Sequence, residues 1–181
     1  ISEKDPFNAS SAYSVARIHS VYAARYYRML GLRIYVGYLF HHESPFRKET
    51  HISKQITLAV QRIAAGSVET LELGNISVEK EWTFAGDVTK GIITLMEQEN
   101  VFEATIGSGV AYSIKDWLEL CFSLVGKDWR KHIRRREGHV SEYQRLVSDP
   151  TTMYRLGWFP SVDILELAKR MIACSSSGNP S

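Results

Sequence analysis

Tyr13 and Arg17 stand four residues apart near the start of the chain, within the segment 11–17. Side chains at this spacing lie on the same face of a helix. A fixed positive charge beside a phenol lowers the pKa of the phenol and makes it usable as an acid or base. The same spacing is common in ordinary helices, so alone it does not distinguish a catalytic pair from a plain helix start.

The elements that would position this pair are helices alternating with strands. Polar residues 8–11 can cap a helix predicted from Ala12 to Leu30, which Gly31 ends. The β-branched and aromatic segment 32–40 predicts a buried strand. Strands alternating with helices predict an α/β fold with parallel strands. Further helices are predicted over 52–65, 85–99, 114–124 and 162–172, a short one after Asp149-Pro150, and short strands over 70–73 and 104–107.

The composition of the chain indicates which classes of binding partner to expect. The chain has 181 residues and a formal net charge of +2, which fits one ordinary core and gives no sign of a large anionic partner. The basic run 130–136 is typical of a solvated face, so we expect no nucleic-acid partner. No apolar run approaches the length of a membrane span, and no signal peptide opens the chain, so we expect no membrane partner.

Two further features bear on location and extent. The only cysteines, Cys121 and Cys174, fit a reducing compartment, and we expect a cytoplasmic protein. The chain opens at Ile1 without an initiator methionine, which predicts a piece of a longer protein.

Three histidines raise the question of a metal site. His41, His42 and His51 lie close in sequence, but no carboxylate or thiol falls at a recognisable ligand spacing, so we expect no metal. Trp82 and Trp158 are expected in the core.

Several short segments, taken together, form a recognisable pattern. They are 11–17, 39–47, Leu73-Gly74-Asn75, Lys80-Glu81-Trp82 with Asp87, and Asp149-Pro150 with 156–160. Read in order, these segments are similar to the C-terminal half of GDP-mannose 4,6-dehydratase and its relatives, which belong to the extended short-chain dehydrogenase/reductases. The similarity extends over most of the chain, from residue 5 to residue 172.

The resemblance implies an architecture: the end of a Rossmann-type parallel sheet plus a small mixed α/β substrate domain. Residues 1–48 would form the catalytic-tyrosine helix and the last part of the cofactor-binding sheet. Residues 49–172 would bind the sugar nucleotide, and 173–181 would be a flexible tail. The family's Gly-rich NADP-binding loop and its catalytic threonine and glutamate are not found in this sequence, so the fragment alone is expected to be inactive.

It also implies a reaction: oxidation at hexose C4, loss of water across C5 and C6, and return of the hydride at C6. Tyr13 matches the family's acid/base tyrosine, and Arg17 stands where the family has lysine. His42 and Arg47 match positions that contact NADP, with NAD left open as the alternative. An epimerase stays open beside the dehydratase, and a homodimer or homotetramer through the Tyr13 helix is implied.

The implied substrate contacts depart from the family. Here His41 replaces an asparagine, Gln55 a lysine, Lys80 an arginine, and His139 the arginine of an Arg-Pro-x-Glu pattern. Ile52 and Glu142 complete the set, and Glu142 keeps the family residue. GDP-sugars are the favoured class of substrate. The departures leave open another nucleotide sugar, or a catalytically impaired binding or association module.

Overall fold

The computed structural model describes residues 1–136 and 143–174, and within them the chain forms an α/β fold. The helices are α1 Ala12–Met29, α2 Ile52–Ala64, α3 Ala85–Met96, α4 Ile114–Ser123, α5 Thr151–Arg155 and α6 Ile164–Cys174. The strands are β1 Val36–Leu39, β2 His42–Glu43, β3 Leu71–Leu73, β4 Glu79–Glu81, β5 Thr83–Phe84, β6 Glu103–Ile106, β7 Ala111–Ser113, β8 Ile133–Arg135 and β9 Arg145–Leu146. Among these residues no helix is both long and apolar enough to cross a membrane.

Strand pairing is mainly parallel, which confirms the α/β prediction. The parallel pairs are β1 with β6, β2 with β5, β3 with β8, and β4 with β9. Strand β7 pairs antiparallel with β4. The strand predicted as buried over 32–40 is shorter and more exposed, since β1 covers only Val36–Leu39 and its side chains alternate between half-buried and exposed. Within the described residues β1 has one strand neighbour, β6, so its other edge is not covered by a strand.

Capping explains where two helices begin. Ser11 and Ser14 form a capping box at α1, with the Ser14 amide donating to Ser11 Oγ at 3.1 Å. Ser113 and Asp116 do the same at α4, where the Ser113 amide donates to Asp116 Oδ2 at 2.7 Å. These side chains satisfy amides that the first helical turn leaves without partners, so the predicted starts are confirmed.

One hydrophobic core lies among α2, α4 and α6. Ile56, Phe122 and Leu167 are fully buried there. Trp82 stacks on Trp117 with ring centroids 4.6 Å apart, which confirms Trp82 as a core residue.

A second core joins α3, β6 and the segment after α5. Its buried members include Leu95, Ile106, Met153 and Trp158, with Tyr35 packed beside them. Gly91 on α3 lies so close to Ile106 and Trp158 that a Cβ there would collide with both. The predicted division at residue 48 stays a prediction, and this core draws on residues from both sides of it.

The carboxylate of Glu81, at the end of β4, joins three segments of the chain. It is fully buried and accepts the Ser108 amide at 2.6 Å, the Gly109 amide at 3.2 Å and the Ser148 amide at 2.5 Å. The Ser148 hydroxyl also donates to it. Gly107 passes so close that a Cβ at that position would overlap the carboxylate. A buried charge is tolerated because these donors replace its lost water.

Replacing Glu81 by glutamine tests this junction. The amide group of glutamine would turn an N–H toward donors that now find an acceptor, so Glu81→Gln is expected to lower the free energy of unfolding by about 3 kcal/mol. Urea denaturation followed by tryptophan fluorescence measures it. The matched control is Glu79→Gln on the same strand, whose partly exposed ion pair with Arg145 predicts a loss of about 0.5 kcal/mol. Equal losses in the two variants would contradict the assignment.

Candidate functional site

Tyr13 and Arg17 lie side by side on α1, as their spacing predicts. The Arg17 guanidinium carbon is 5.7 Å from the centre of the Tyr13 ring, within the range of a cation–π contact. The Tyr13 side chain is 72% exposed, so the phenol is open to a ligand.

A groove of about 670 Å³ runs beside this pair. One wall is α1, with Tyr13, Arg17 and Val21, and the other is the segment 34–40 that contains β1. A volume of this order is typical of small-molecule and cofactor sites. The groove therefore places a tyrosine–arginine pair next to a space that can hold a ligand ring.

Glu103 on β6 fixes α1 against the sheet and so shapes the groove. Its carboxylate accepts hydrogen bonds from Arg25 Nε at 2.9 Å and Nη2 at 2.7 Å, and it also contacts Arg28. The Tyr38 hydroxyl on β1 donates to the same carboxylate at 2.8 Å. The hydrogen bonds from Arg25 lower the pKa of Glu103 to about 2 although burial opposes this, with further bonds from Arg28 and Tyr38 acting in the same direction. Burial and the neighbouring Glu103 raise the pKa of Tyr38 to about 12.

Residues 41–47 continue from the wall of the groove into a buried cluster of charged and titratable groups, which we call the His41 cluster: His41, Glu43, Arg47 and Lys80. His41 Nδ1 lies 2.7 Å from the main-chain oxygen of Glu81. His41 Nε2 lies 3.0 Å from Lys80 Nζ and 2.9 Å from Glu43 Oε1. Arg47 Nε is 3.5 Å from Glu43 Oε2.

Burial dominates the electrostatics of the His41 cluster. It lowers the pKa of His41, and it lowers the pKa of Lys80 to about 8. Burial alone would raise the pKa of Glu43, but contacts with His41, Ser53 and Arg47 outweigh it and lower the pKa. Perturbed titratable groups gathered in this way are typical of functional sites as well as of structural ion-pair networks.

The remaining predicted site residues are placed as follows. His42 is half-buried, with Nδ1 2.9 Å from the main-chain oxygen of Phe40. Ile52 is half-buried at the first residue of α2, and Gln55 is exposed one turn later, where it donates to the Thr50 oxygen at 3.2 Å. His139 and Glu142 lie outside the described residues. The structure therefore brings His41, Lys80 and Arg47 together and sets Tyr13 and Arg17 in the neighbouring groove.

Sequence reasoning missed Glu43. It is 99% buried and lies between a residue predicted to bind substrate, His41, and one predicted to bind cofactor, Arg47. Its place inside the segment 39–47 was the available signal, since an acid between two such positions invites a pairing role.

Comparisons with known proteins agree on one family. The family model described as GDP-mannose 4,6 dehydratase matches residues 1–171. The chain is 32% identical over 175 residues to GDP-mannose 4,6 dehydratase 1 of Arabidopsis thaliana, covering 94% of this chain and 48% of that protein. It thus spans about half the length of the curated relatives it matches.

Solved structures share the fold. RMD from Pseudomonas aeruginosa, complexed with NADPH, superposes with a TM-score of 0.88 at 18% identity, covering 97% of this chain and 59% of that one. A dTDP-glucose 4,6-dehydratase from Bacillus anthracis, in complex with NAD, gives 0.82 at 17% identity, covering 96% and 55%. The fold is therefore that of part of a Rossmann-type short-chain dehydrogenase/reductase of the extended class.

The ion pairs of Glu103 with Arg25 and Arg28, which hold α1 against the sheet, predict that the stability of the fold depends on pH. The pKa of Glu103 is about 2 in the folded chain and about 4.5 when unperturbed, so the stabilisation is complete above pH 4.5 and is lost as the pH falls toward 2. Glu103→Gln is expected to cost about 2 kcal/mol of unfolding free energy at pH 7, and the difference from wild type should shrink as the pH falls through this window. Chemical denaturation across pH 2.5–7, with exposed Glu99→Gln as control, measures it. A difference that stays constant with pH would refute the ion-pair account.

Proposed function

We infer the function from the family: the chain belongs to the GDP-mannose 4,6-dehydratase family, and we propose that it is the C-terminal portion of an NADP-dependent nucleotide-sugar dehydratase. The observation that supports this most directly is the Tyr13–Arg17 pair on the wall of a groove of about 670 Å³. The proposed reaction oxidises hexose C4, removes water across C5 and C6, and reduces C6.

The segment 42–47, which follows the wall of the groove, supplies two residues that suit a nicotinamide cofactor. The Arg47 guanidinium is 28% exposed, so it can meet an anionic group although its Nε lies 3.5 Å from Glu43 Oε2, and His42 lies in β2 of the same segment. We propose that these two residues help to hold NADP, in preference to NAD. The cofactor, when bound, accepts and returns a hydride. Tyr13 takes the proton of the C4 hydroxyl as the carbonyl forms, with the Arg17 guanidinium beside its ring.

The proposed substrate is a GDP-sugar. Lys80 and His41 occupy positions where the family contacts the sugar nucleotide, and a cation at Lys80 suits a diphosphate. Ile52, Gln55, His139 and Glu142 remain predicted contacts. The chemistry also needs a Gly-rich phosphate-binding loop, which this sequence does not contain, so we assign the activity to the chain acting together with a dinucleotide-binding domain.

We also propose that α1 pairs with a second copy, giving a homodimer or homotetramer. Of its 18 residues only Val21 and Ala24 are buried. Tyr22 and Tyr26 are more than half exposed, and large apolar surfaces of this kind are typical of protein interfaces.

We propose a cytoplasmic location because the cysteines suit a reducing compartment. Cys121 is a free, buried thiol whose pKa is raised by burial, so it is poorly suited to disulfide exchange.

A second candidate is a catalytically impaired binding module. It is favoured by Arg17, because a guanidinium is planar and bulkier than the ammonium of the family's lysine. The altered substrate positions, His41, Gln55 and Lys80, point in the same direction.

Removing the Tyr13 hydroxyl tests the catalytic assignment. In the protein produced from its whole gene, Tyr13→Phe is expected to reduce turnover of GDP-mannose with NADP by at least about a hundredfold, because general acid–base catalysis contributes factors of this order. Binding of GDP-mannose, measured by calorimetry, should change little. The control is Tyr27→Phe, an exposed tyrosine on the same helix. Equal turnover in wild type and Tyr13→Phe would rule out the assignment.

Substituting Arg17 by lysine separates the two candidates. A weakened enzyme should gain turnover in Arg17→Lys, because the compact ammonium restores the family's partner for the tyrosine. The assay follows the 4-keto product on long incubation with GDP-mannose and NADP. Turnover that is absent in both proteins, with GDP-mannose still bound, would favour the binding module.

A further inference from the structure

In the His41 cluster two basic side chains, His41 and Lys80, are in direct contact beside the buried carboxylate of Glu43. Lys80 is 7% exposed and Glu43 is 1% exposed, so neither has much water to solvate its charge. Lys80 Nζ also lies 4.8 Å from the centre of the Trp82 ring, on the apolar side of the cluster. Charges placed in such surroundings must compensate one another.

The contacts of the imidazole fix its tautomer. His41 Nδ1 faces the main-chain oxygen of Glu81, which only accepts, so Nδ1 carries a hydrogen. The remaining nitrogen, Nε2, faces Lys80 Nζ at 3.0 Å and Glu43 Oε1 at 2.9 Å. When Nε2 has no proton it can accept from the Lys80 ammonium. When Nε2 is protonated it is attracted to Glu43, and Lys80 is then driven to the neutral amine.

His41 and Lys80 cannot both carry a positive charge at this distance without a large cost in free energy. Two positive charges repel more strongly the closer they lie and the less water surrounds them, and the two nitrogens here are 3.0 Å apart. Like charges in one buried site are known to titrate as a unit that holds a single proton.

We propose that His41 and Lys80 share one proton, and that Glu43 is the positioning residue that sets how tightly the pair holds it. The contacts among these three side chains support this role for Glu43, which the sequence alone does not indicate. The lowered pKa values of His41 and Lys80 are consistent with it.

The other charged groups around His41 and Lys80 raise or lower the pKa of the pair. Glu43 raises the pKa of Lys80, and Arg47, four residues after Glu43, lowers it. From β4 the pair meets the main-chain oxygen of Glu81, whose carboxylate is bonded elsewhere. From α2, Ser53 reaches Glu43, and the buried cation Lys54 donates from Nζ to the main-chain oxygen of Pro45 at 2.8 Å. Within the described residues Glu43 has no well-aligned hydrogen-bond donor, so its charge is directed at the pair and at Arg47.

The consequence for ligand binding rests on the proposed function. A diphosphate is attracted to Lys80 only while the pair holds its proton, so affinity for a nucleotide sugar should fall as the pH rises past the midpoint of the pair. Glutamine at position 43 removes the negative charge that retains the proton. The midpoint should therefore move to lower pH.

The first measurement is an NMR titration of the chain without ligand, following the Lys80 side-chain amine and the His41 ring from pH 5 to 11. We expect the His41 ring signals to change over the same pH range as the Lys80 amine, whose pKa burial lowers to about 8. In Glu43→Gln the midpoint of the pair should fall by about one unit. The control, Glu119→Gln, removes an exposed carboxylate paired with Lys115 and Arg130 and should leave the midpoint unchanged.

The second measurement is the dissociation constant for GDP-mannose over the same pH range, in the protein produced from its whole gene. We expect it to rise by up to about tenfold per pH unit above the midpoint, and to begin rising at lower pH in Glu43→Gln.

Three results would decide the matter. His41 titrating alone near pH 6.5 with Lys80 near 10.4, their ordinary values, would overturn the shared proton. A common midpoint that Glu43→Gln does not move would overturn the role of Glu43. Absence of GDP-mannose binding at every pH would overturn the proposed function, while the titration without ligand would still decide the proposal made here.

Discussion

The buried carboxylate of Glu81 is the constraint on which most of the fold depends. It fixes the turn at 107–109 and the chain before α5 against the end of β4, using amide and hydroxyl donors alone. The main-chain oxygen of the same residue accepts from His41. One residue thus connects the packing of the second core to the orientation of the imidazole in the candidate site. A change that shifted β4 would move both.

Four acids show how this chain manages negative charge away from water. Glu81 is satisfied by neutral donors, and Asp87 accepts from the Ser161 amide and hydroxyl and from the Val162 amide. Burial alone would raise the pKa of Asp87, but these bonds lower it. Glu103 is neutralised by two arginines. Glu43 differs, because among the residues described it lies near cations yet has no well-aligned donor. A buried acid left in that condition is costly to the fold, and it lies where ligands are proposed to bind.

Local signals were enough to predict the helices. Capping residues, Gly31 and helical periodicity identified α1, α2 and α4 within a few residues, because these signals act over one or two turns. The segment 32–40 was harder, since strand length depends on the partner strand, and β6 lies more than sixty residues away in sequence. The adjacency of Tyr13 and Arg17 followed from helix geometry. The burial of Lys80 did not, because lysine is usually exposed and only the tertiary arrangement of β4 against the segment 41–47 removes it from water.

The segment 34–47 connects the groove to the His41 cluster along the chain. Its first half forms the groove wall opposite Tyr13, and its second half supplies His41, Glu43 and Arg47 to the cluster. Glu43 contacts His41 with one carboxylate oxygen and approaches Arg47 with the other. Any change of charge on the His41 side therefore alters the field at Arg47 across a few ångströms of low dielectric, where unit charges interact by several kcal/mol. Occupation of the proposed substrate position at His41 and of the proposed cofactor position at Arg47 would then be linked through one carboxylate, without a movement of the backbone.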